Sequence, residues 1–240
     1  MNPSGGLGWH WRAWRSQALW QQTCDQISTC LEKFEPASSE LLLIGASAGW
    51  MMPSSWLQGF DKVTTCDIDP LAAPLFRWRH AAALRAGGNE LVCCTADALG
   101  DLDRLLRSHP KACLFFDNVL GQYRFHCPSP EAASRKISQI VRSLCGREWG
   151  ALHEVYSGPV KLLGCNDTPP KMRQRMQGSP DSAAFDQAWL NELGAKSPWL
   201  DHLTSAVFQK GTLVNHIAWP FKPGYCHWLQ LGWALKEENC

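Results

Sequence analysis

The chain has 240 residues and a mass of 26.8 kDa, enough for one α/β domain with a sizeable core and too little for two well-filled ones. Its 23 Lys and Arg against 22 Asp and Glu leave a net charge of +1, so bulk electrostatics nominate neither nucleic acid nor an anionic membrane as partner. No run approaches the roughly 18 apolar residues of a membrane span, and Met1-Asn2-Pro3-Ser4-Gly5-Gly6 lacks the basic-then-apolar pattern of a signal peptide, so a cytoplasmic protein is expected.

In residues 9–34, Trp14, Ala18, Cys24, Ile27, Leu31 and Phe34 recur mostly at three- and four-residue steps, a stripe that predicts one or two helices. After Pro36-Ala37-Ser38-Ser39, the continuous apolar run Leu41 to Ile44 reads as a strand buried on both faces of a parallel sheet. Pro53-Ser54-Ser55 opens a following helix. Val63 to Ile68 is the second strand, followed by a helix from Pro70 to Ala86 that Gly87-Gly88 closes. Leu91 to Thr95 and Ala112 to Phe116 are the third and fourth strands, with a helix from Asp101 to Ser108 between them. A helix from Pro130 to Leu144 leads to a fifth strand, Gly150 to Tyr156. This alternation implies right-handed crossovers and a mainly parallel sheet.

The rhythm breaks after Ser157. Residues 158–205 hold five prolines and one predicted helix, Asp181 to Leu193. Gly211 to Trp219 and His227 to Leu235 then read as strands joined by Pro220 to Cys226, too short for a crossover helix, so they form an antiparallel hairpin. A single domain over 1–240 is expected, with 1–39 as a helical cap and 158–205 as an insert.

Four of the 11 cysteines, Cys66, Cys93, Cys94 and Cys113, lie in apolar strand-like runs, where a thiol acts as a small hydrophobe, so reduced thiols are expected. The 13 tryptophans read mostly as core or pocket wall. Cys226-His227, His126-Cys127 and Cys165 offer soft metal ligands, but no Cys-x-x-Cys or His-x-x-x-His spacing occurs, and no metal is expected.

Chemistry concentrates at the strand ends. The first strand breaks into Gly45-Ala46-Ser47-Ala48-Gly49-Trp50, and an acid, Asp67, follows about twenty residues later. A dinucleotide fingerprint would need glycines where Gly45, Ser47 and Trp50 stand, and the indole would obstruct a pyrophosphate. No Gly-Lys-Ser/Thr phosphate loop is present. Further acids close the next strands: Asp67-Ile68-Asp69-Pro70, Asp97-Ala98, and Asp117-Asn118.

Over residues 40–236 this order resembles the class I S-adenosylmethionine-dependent methyltransferase family. The resemblance implies a seven-stranded, mainly parallel α/β sheet with helices on both faces, its last strand inserted antiparallel beside the fifth. It implies S-adenosylmethionine as cofactor, held by Gly45, Ala46, Ser47 and Gly49 of the glycine loop. Asp67 would accept from the ribose hydroxyls with Ile68 beside it, Asp97 and Ala98 would meet the adenine edge, and Asp117 would lie beside the sulfonium. Two positions depart from the family pattern: Ser47 replaces the central glycine, and Leu43 stands where an acid usually contacts the methionine amino group. Plainer readings stand beside these. Gly45 and Gly49 also fit a packing turn, Asp69 before Pro70 a helix N-cap, and Asp97, Asp117 and Asn118 turn residues.

Methyl transfer is an in-line displacement that orientation alone accelerates by roughly 7–11 kcal/mol, so little acid–base machinery is required. Asp117, Asn118, His153 and Tyr156 are the catalytic candidates, with His126 and Glu154 nearby. Along the fifth strand His153 and Val155 should face one way, and Glu154 and Tyr156 the other. The expected acceptor is a small molecule, with Trp189 and Trp199 of the insert as pocket walls; the same insert also fits a homodimer contact. Trp9-His10-Trp11-Arg12-Ala13-Trp14-Arg15 and Lys171-Met172-Arg173-Gln174-Arg175 interleave basic and other residues as RNA surfaces do, but a net charge of +1 disfavours RNA. The family's Asn/Asp-Pro-Pro-Tyr/Phe clamp for planar nitrogen is absent after the fourth strand. Aminopropyl transfer from a related sulfonium cofactor, and a catalytically degenerate binding or scaffold subunit, are the alternatives.

Overall fold

The computed structural model describes residues 5–161, 170–196 and 198–235. Its first half alternates strands and helices: α1 (Gly6–Arg15), α2 (Gln17–Leu31), β1 (Glu40–Ile44), α3 (Ser54–Leu57), β2 (Lys62–Asp67), α4 (Ala72–Ala86), β3 (Glu90–Thr95), α5 (Leu102–Ser108) and β4 (Cys113–Asp117). The chain continues through α6 (Tyr123–His126), α7 (Pro130–Ser143), β5 (Trp149–Pro159), β6 (Arg173–Met176), α8 (Ser182–Glu192), β7 (Leu200–Asp201), β8 (Leu213–Lys222) and β9 (Tyr225–Ala234). The sheet runs β3-β2-β1-β4-β5-β9-β8-β6, with β7 paired to the end of β5.

β1, β2, β3, β4 and β5 pair parallel in the order expected of crossover units. β1 lies between β2 and β4, and its Leu41-Leu42-Leu43-Ile44 run is buried on both faces because helices cover each side. β9 enters antiparallel beside β5, from Trp149 opposite Ala234 to Pro159 opposite Tyr225. The hairpin strands are longer than the sequence suggests, so the β8–β9 turn shrinks to Pro223-Gly224, with Gly224 at φ 71°.

The expected seven strands become nine among the described residues. Both additions come from the insert region. β6 is a short edge strand, Arg-Gln-Arg-Met, without apolar alternation, and its charges suit an edge that must not recruit another strand. Its arginines pair with α8, Arg173 with Glu192 at 2.6 Å and Arg175 with Asp186 at 3.0 Å.

Alternation along the strands builds two cores. Leu41, Leu43, Phe115, Ile217, Trp219 and Leu231 pack on one face with Trp20 and Ile27 of α2, Trp56 of α3 and Phe76 of α4. Leu42, Ile44, Leu114 and Phe116 pack on the other with α5 and α7. α2 is also fastened to β8: the buried Thr23 hydroxyl donates to the Ala218 carbonyl at 2.9 Å. Trp189 of α8 heads a smaller third cluster with Val155 and Trp228. No helix among the described residues is long and apolar enough to cross a membrane.

Eight cysteines are free thiols, and burial pushes Cys66 and Cys113 up to about 12. Cys145 departs from the reduced expectation: it is disulfide-bonded, and it lies exposed in the turn after α7 rather than in an apolar strand. Cys165 lies outside the described residues.

Candidate functional site

The turn after β1 leaves the sheet at once. Gly45 adopts φ +73°, and a Cβ there would lie 2.5 Å from the Val119 Cβ, so only glycine lets β1 and the end of β4 approach this closely. Ser47 takes φ +45°, a left-handed conformation that explains why glycine suits the centre of such a loop. Gly49 has a different task. Its φ is +62°, and a Cβ would come 2.4 Å from His80 Nε2, so it seats the loop on α4. Gly49 and Ala46 lie behind the cavity lining rather than in it.

Asp67 ends β2 and braces this loop. Its Oδ2 accepts the Ser47 N–H at 2.7 Å and its Oδ1 the Asp69 N–H at 2.8 Å. Burial raises its carboxyl above the usual range, and those two N–H donors pull it partly back. Each oxygen retains a further lone pair for a ligand. Asp97 accepts the Gly100 N–H at 2.9 Å and is exposed at the rim, so turn residue and cavity wall are both true of it. Asp117 ends β4; burial, with the Asp67 charge beside it, pushes its carboxyl up to about 8. Asn118 follows at φ +52°, its amide donates to Glu154 Oε1 at 3.2 Å, and its buried Oδ1 has no hydrogen-bond partner.

α1 is strapped over the site by contacts that no local pattern announces. Trp9 Nε1 donates to Ser47 Oγ at 3.0 Å. Trp50 Nε1 donates to His10 Nδ1 at 3.1 Å, which leaves Nε2 as the protonated nitrogen facing Asp69 Oδ2 at 3.0 Å. Asp69 also accepts the N–H groups of Gly6 and Leu71. Burial opposes ionisation of Asp69, but these donors outweigh it and hold the carboxyl below its usual range. Asp69 thus caps α1 across space as well as bonding the Leu71 N–H at the start of the α4 turn.

These elements enclose a cavity of about 310 Å³ at the C-terminal ends of the first four strands. Gly45, Ser47, Asp67, Ile68, Asp97, Ala98, Asp117 and Asn118 all line it, as the sequence places them. Ile68 is 69% exposed at its mouth, an apolar side chain left open to a ligand. Four indoles, Trp9, Trp20, Trp50 and Trp219, line it as well. Four carboxylates line the cavity, Asp67, Asp69, Asp97 and Asp117, and among the described residues no Lys or Arg does.

Two catalytic candidates lie elsewhere. His153 is fully buried on the far face of β5, against Phe208 and Gln230, and burial drops it to about 4. Tyr156 packs on Trp228, because a bulge between Glu154 and Tyr156 breaks the alternation that would have kept them together. Leu43 is fully buried in the core, so no side chain at that position could reach the cavity without leaving it. Trp189 and Trp199 do not wall the cavity; Trp199 closes over Gly158 instead. Glu154 is the residue the sequence left in second rank: it receives Asn118 and Gln122, both cavity-lining, and sits with His202 and His227.

Neither a protein-family model nor a curated protein sequence matches the chain. Solved structures similar in fold include an O-methyltransferase family protein from Burkholderia thailandensis, at TM-score 0.44 and 11% identity over 93% of this chain. The N-methyltransferase NodS from Bradyrhizobium japonicum, in complex with S-adenosyl-L-homocysteine, is similar at TM-score 0.41 and 12% identity, over 91% of this chain and 86% of its own. Magnesium protoporphyrin IX methyltransferase from Synechocystis, with bound S-adenosylmethionine, is similar at TM-score 0.42 and 18% identity, over 88% of this chain and 78% of its own. The chain spans 58% of the length of the Burkholderia protein.

Proposed function

We propose that this protein transfers a methyl group from S-adenosylmethionine to a small-molecule acceptor. The observation that carries the reading is the charge of the cavity: four carboxylates, four indoles and no Lys or Arg among the described residues. Such a wall favours a cation, through carboxylates and indole faces together, and repels a pyrophosphate. S-adenosylmethionine, when bound, supplies an electrophilic methyl on a cationic sulfur. The residues present fit it. Asp67 keeps lone pairs for the ribose diol, Ile68 and Ala98 offer apolar contact beside the Asp97 rim, and Gly45 lets the β4 end that carries Asp117 close on the loop. Asp117 faces the cationic end, where ionisation of a carboxyl raised to about 8 would be restored by the ligand charge. The orphaned Asn118 Oδ1 accepts a donor from cofactor or acceptor. A volume near 310 Å³ lies at the lower end of the roughly 300–1,000 Å³ of small-molecule sites.

Calorimetry with S-adenosylmethionine and S-adenosylhomocysteine on wild type and Asp67→Ala tests the reading. Binding to wild type that the substitution removes supports it. A folded protein that binds neither ligand is instead the degenerate scaffold. Preference for the decarboxylated cofactor would turn the reading to aminopropyl transfer.

A further inference from the structure

Glu154 of β5, His202 in the turn after β7, and His227 of β9 converge from three separate elements, with one ligand atom from each lying within 4.8 Å of the others. Glu154 Oε1 is 3.0 Å from His227 Nδ1, and Oε2 is 3.4 Å from His202 Nδ1. Donors that share one ion at about 2.1 Å, at octahedral to tetrahedral angles, stand roughly 3.0–3.4 Å apart. The His227 ring is drawn to the Glu154 carboxylate at this distance and helps hold that carboxyl below its usual range, yet neither ring nitrogen has a well-directed hydrogen-bond partner. Together with His202, these atoms lie close enough to share one ion. Orphaned buried groups of this kind call for an ion or water between them.

The surroundings are those of a ligand set. Ser157 Oγ lies 2.9 Å from His202 Nε2 and accepts the Tyr225 hydroxyl at 3.2 Å. If the Nε2–H donates to Ser157, the Nδ1 lone pair is aimed at Glu154, as outer partners fix the tautomer of metal-bound histidines. The opposite tautomer would send an Nδ1–H to the Gly121 carbonyl, 3.3 Å away, and leave no lone pair. Glu154 is 2% exposed and is met by neutral amides from Asn118 and Gln122, with no Lys or Arg bonded to it. Two imidazoles and one carboxylate suit a transition metal rather than Mg²⁺ or Ca²⁺.

We propose that Glu154, His202 and His227 bind a divalent first-row transition-metal ion directly behind the cavity lining. Asn118, Gln122 and the indole of Trp219, which packs 4.8 Å from the His227 ring, border both the cavity and this cluster. The ion would fix Glu154 and, through it, the Asn118 and Gln122 amides that line the cavity; the metal site does not rest on the methyl-transfer reading.

The full-length protein, stripped with chelator, is titrated with Zn²⁺ by calorimetry and with Co²⁺ by visible absorption. One ion per chain is expected, with a cobalt d–d band. His202→Ala and His227→Ala should weaken it by more than the about 10- to 100-fold that loss of an outer partner costs, and Ser157→Ala by an amount within that range. His109→Ala, remote on the α5 terminus, should leave it unchanged. A cooperative thermal melt of each variant reports that it is folded, and S-adenosylhomocysteine binding tests the cofactor reading separately. Absence of stoichiometric Zn²⁺ and Co²⁺ in folded wild type, or binding that survives both histidine variants, overturns the proposal.

Discussion

Trp9 donates its indole N–H to Ser47 Oγ at 3.0 Å, so the N-terminal helix is bonded to the turn that follows β1. Ser47 holds φ +45° and its N–H is committed to Asp67. Ser47→Gly removes the left-handed strain but also the Trp9 bond and gains unfolded-state freedom, so stability should stay within about 1 kcal/mol of wild type. Ser47→Val, β-branched in the same conformation, should lose more than about 2 kcal/mol. Thermal melts of both settle this; equal melting temperatures would contradict the strain.

Asp117 gives a pH signature. Its folded pKa, about 8, lies above the ordinary 3.8, so between those values the folded state holds a proton that the unfolded state has lost. Stability from this group is therefore full below pH 3.8 and falls as pH rises toward 8. Asp117→Asn should raise the melting temperature more at pH 8 than at pH 5. Because the carboxyl is protonated at pH 7, a cation placed beside it should expel that proton. Calorimetry of S-adenosylmethionine in buffers of different ionisation enthalpy should show release of up to one proton, and the neutral sulfur of S-adenosylhomocysteine less. Equal release with both ligands would assign Asp117 to the shared amino group instead of the sulfonium.

The parts legible in the sequence were those written in local pattern. Leu41 to Ile44 and Cys113 to Phe116 are continuous apolar runs because both faces of the sheet are covered, and the terminal hairpin follows from a connection too short to cross over. Asp67, Asp97 and Asp117 reach one cavity because parallel strands end on the same edge. What stayed hidden is long-range or irregular. Trp9 and His10 meet residues 38 and 59 positions away. Glu154, His202 and His227 share no spacing. The bulge after Glu154 turns Tyr156 away, and a bulge leaves no mark in period-two reading. The packing of Gly49 against His80 and Phe76 also stayed hidden, because a packing glycine and a ligand glycine carry the same letter.

His10 joins the Trp50 indole to Asp69 with 5% exposure. His10→Ala leaves a buried indole N–H unpaired and should cost about 1–3 kcal/mol. The folded pKa of Asp69 is lowered, so its stabilisation is present above the ordinary value of 3.8 and lost as pH falls below it. The variant should therefore show a shallower loss of stability on acidification. Amide exchange should speed in α1 (Gly6–Arg15) and leave β1 unchanged. Unaltered exchange in α1 would mean that packing of Trp9 and Ala13, not this relay, holds the helix down.

Gly45 and Gly49 separate binding from packing. A Cβ on Gly45 would meet Val119, which lines the cavity, and the Asp117 carbonyl at 3.1 Å; one on Gly49 would meet His80 and Phe76 of α4, behind the loop. Both positions have positive φ, so each Ala variant carries roughly 1–3 kcal/mol of backbone strain before any clash. Gly45→Ala must also displace the β4 terminus that presents Asp117 and Asn118, so cofactor affinity and melting temperature should fall together. Gly49→Ala can relax only by shifting His80 and Phe76, so its melting temperature should fall while the affinity of the remaining folded protein stays near wild type. Calorimetry below the melting transition distinguishes them, and an equal affinity loss in Gly49→Ala would assign that glycine to cofactor binding.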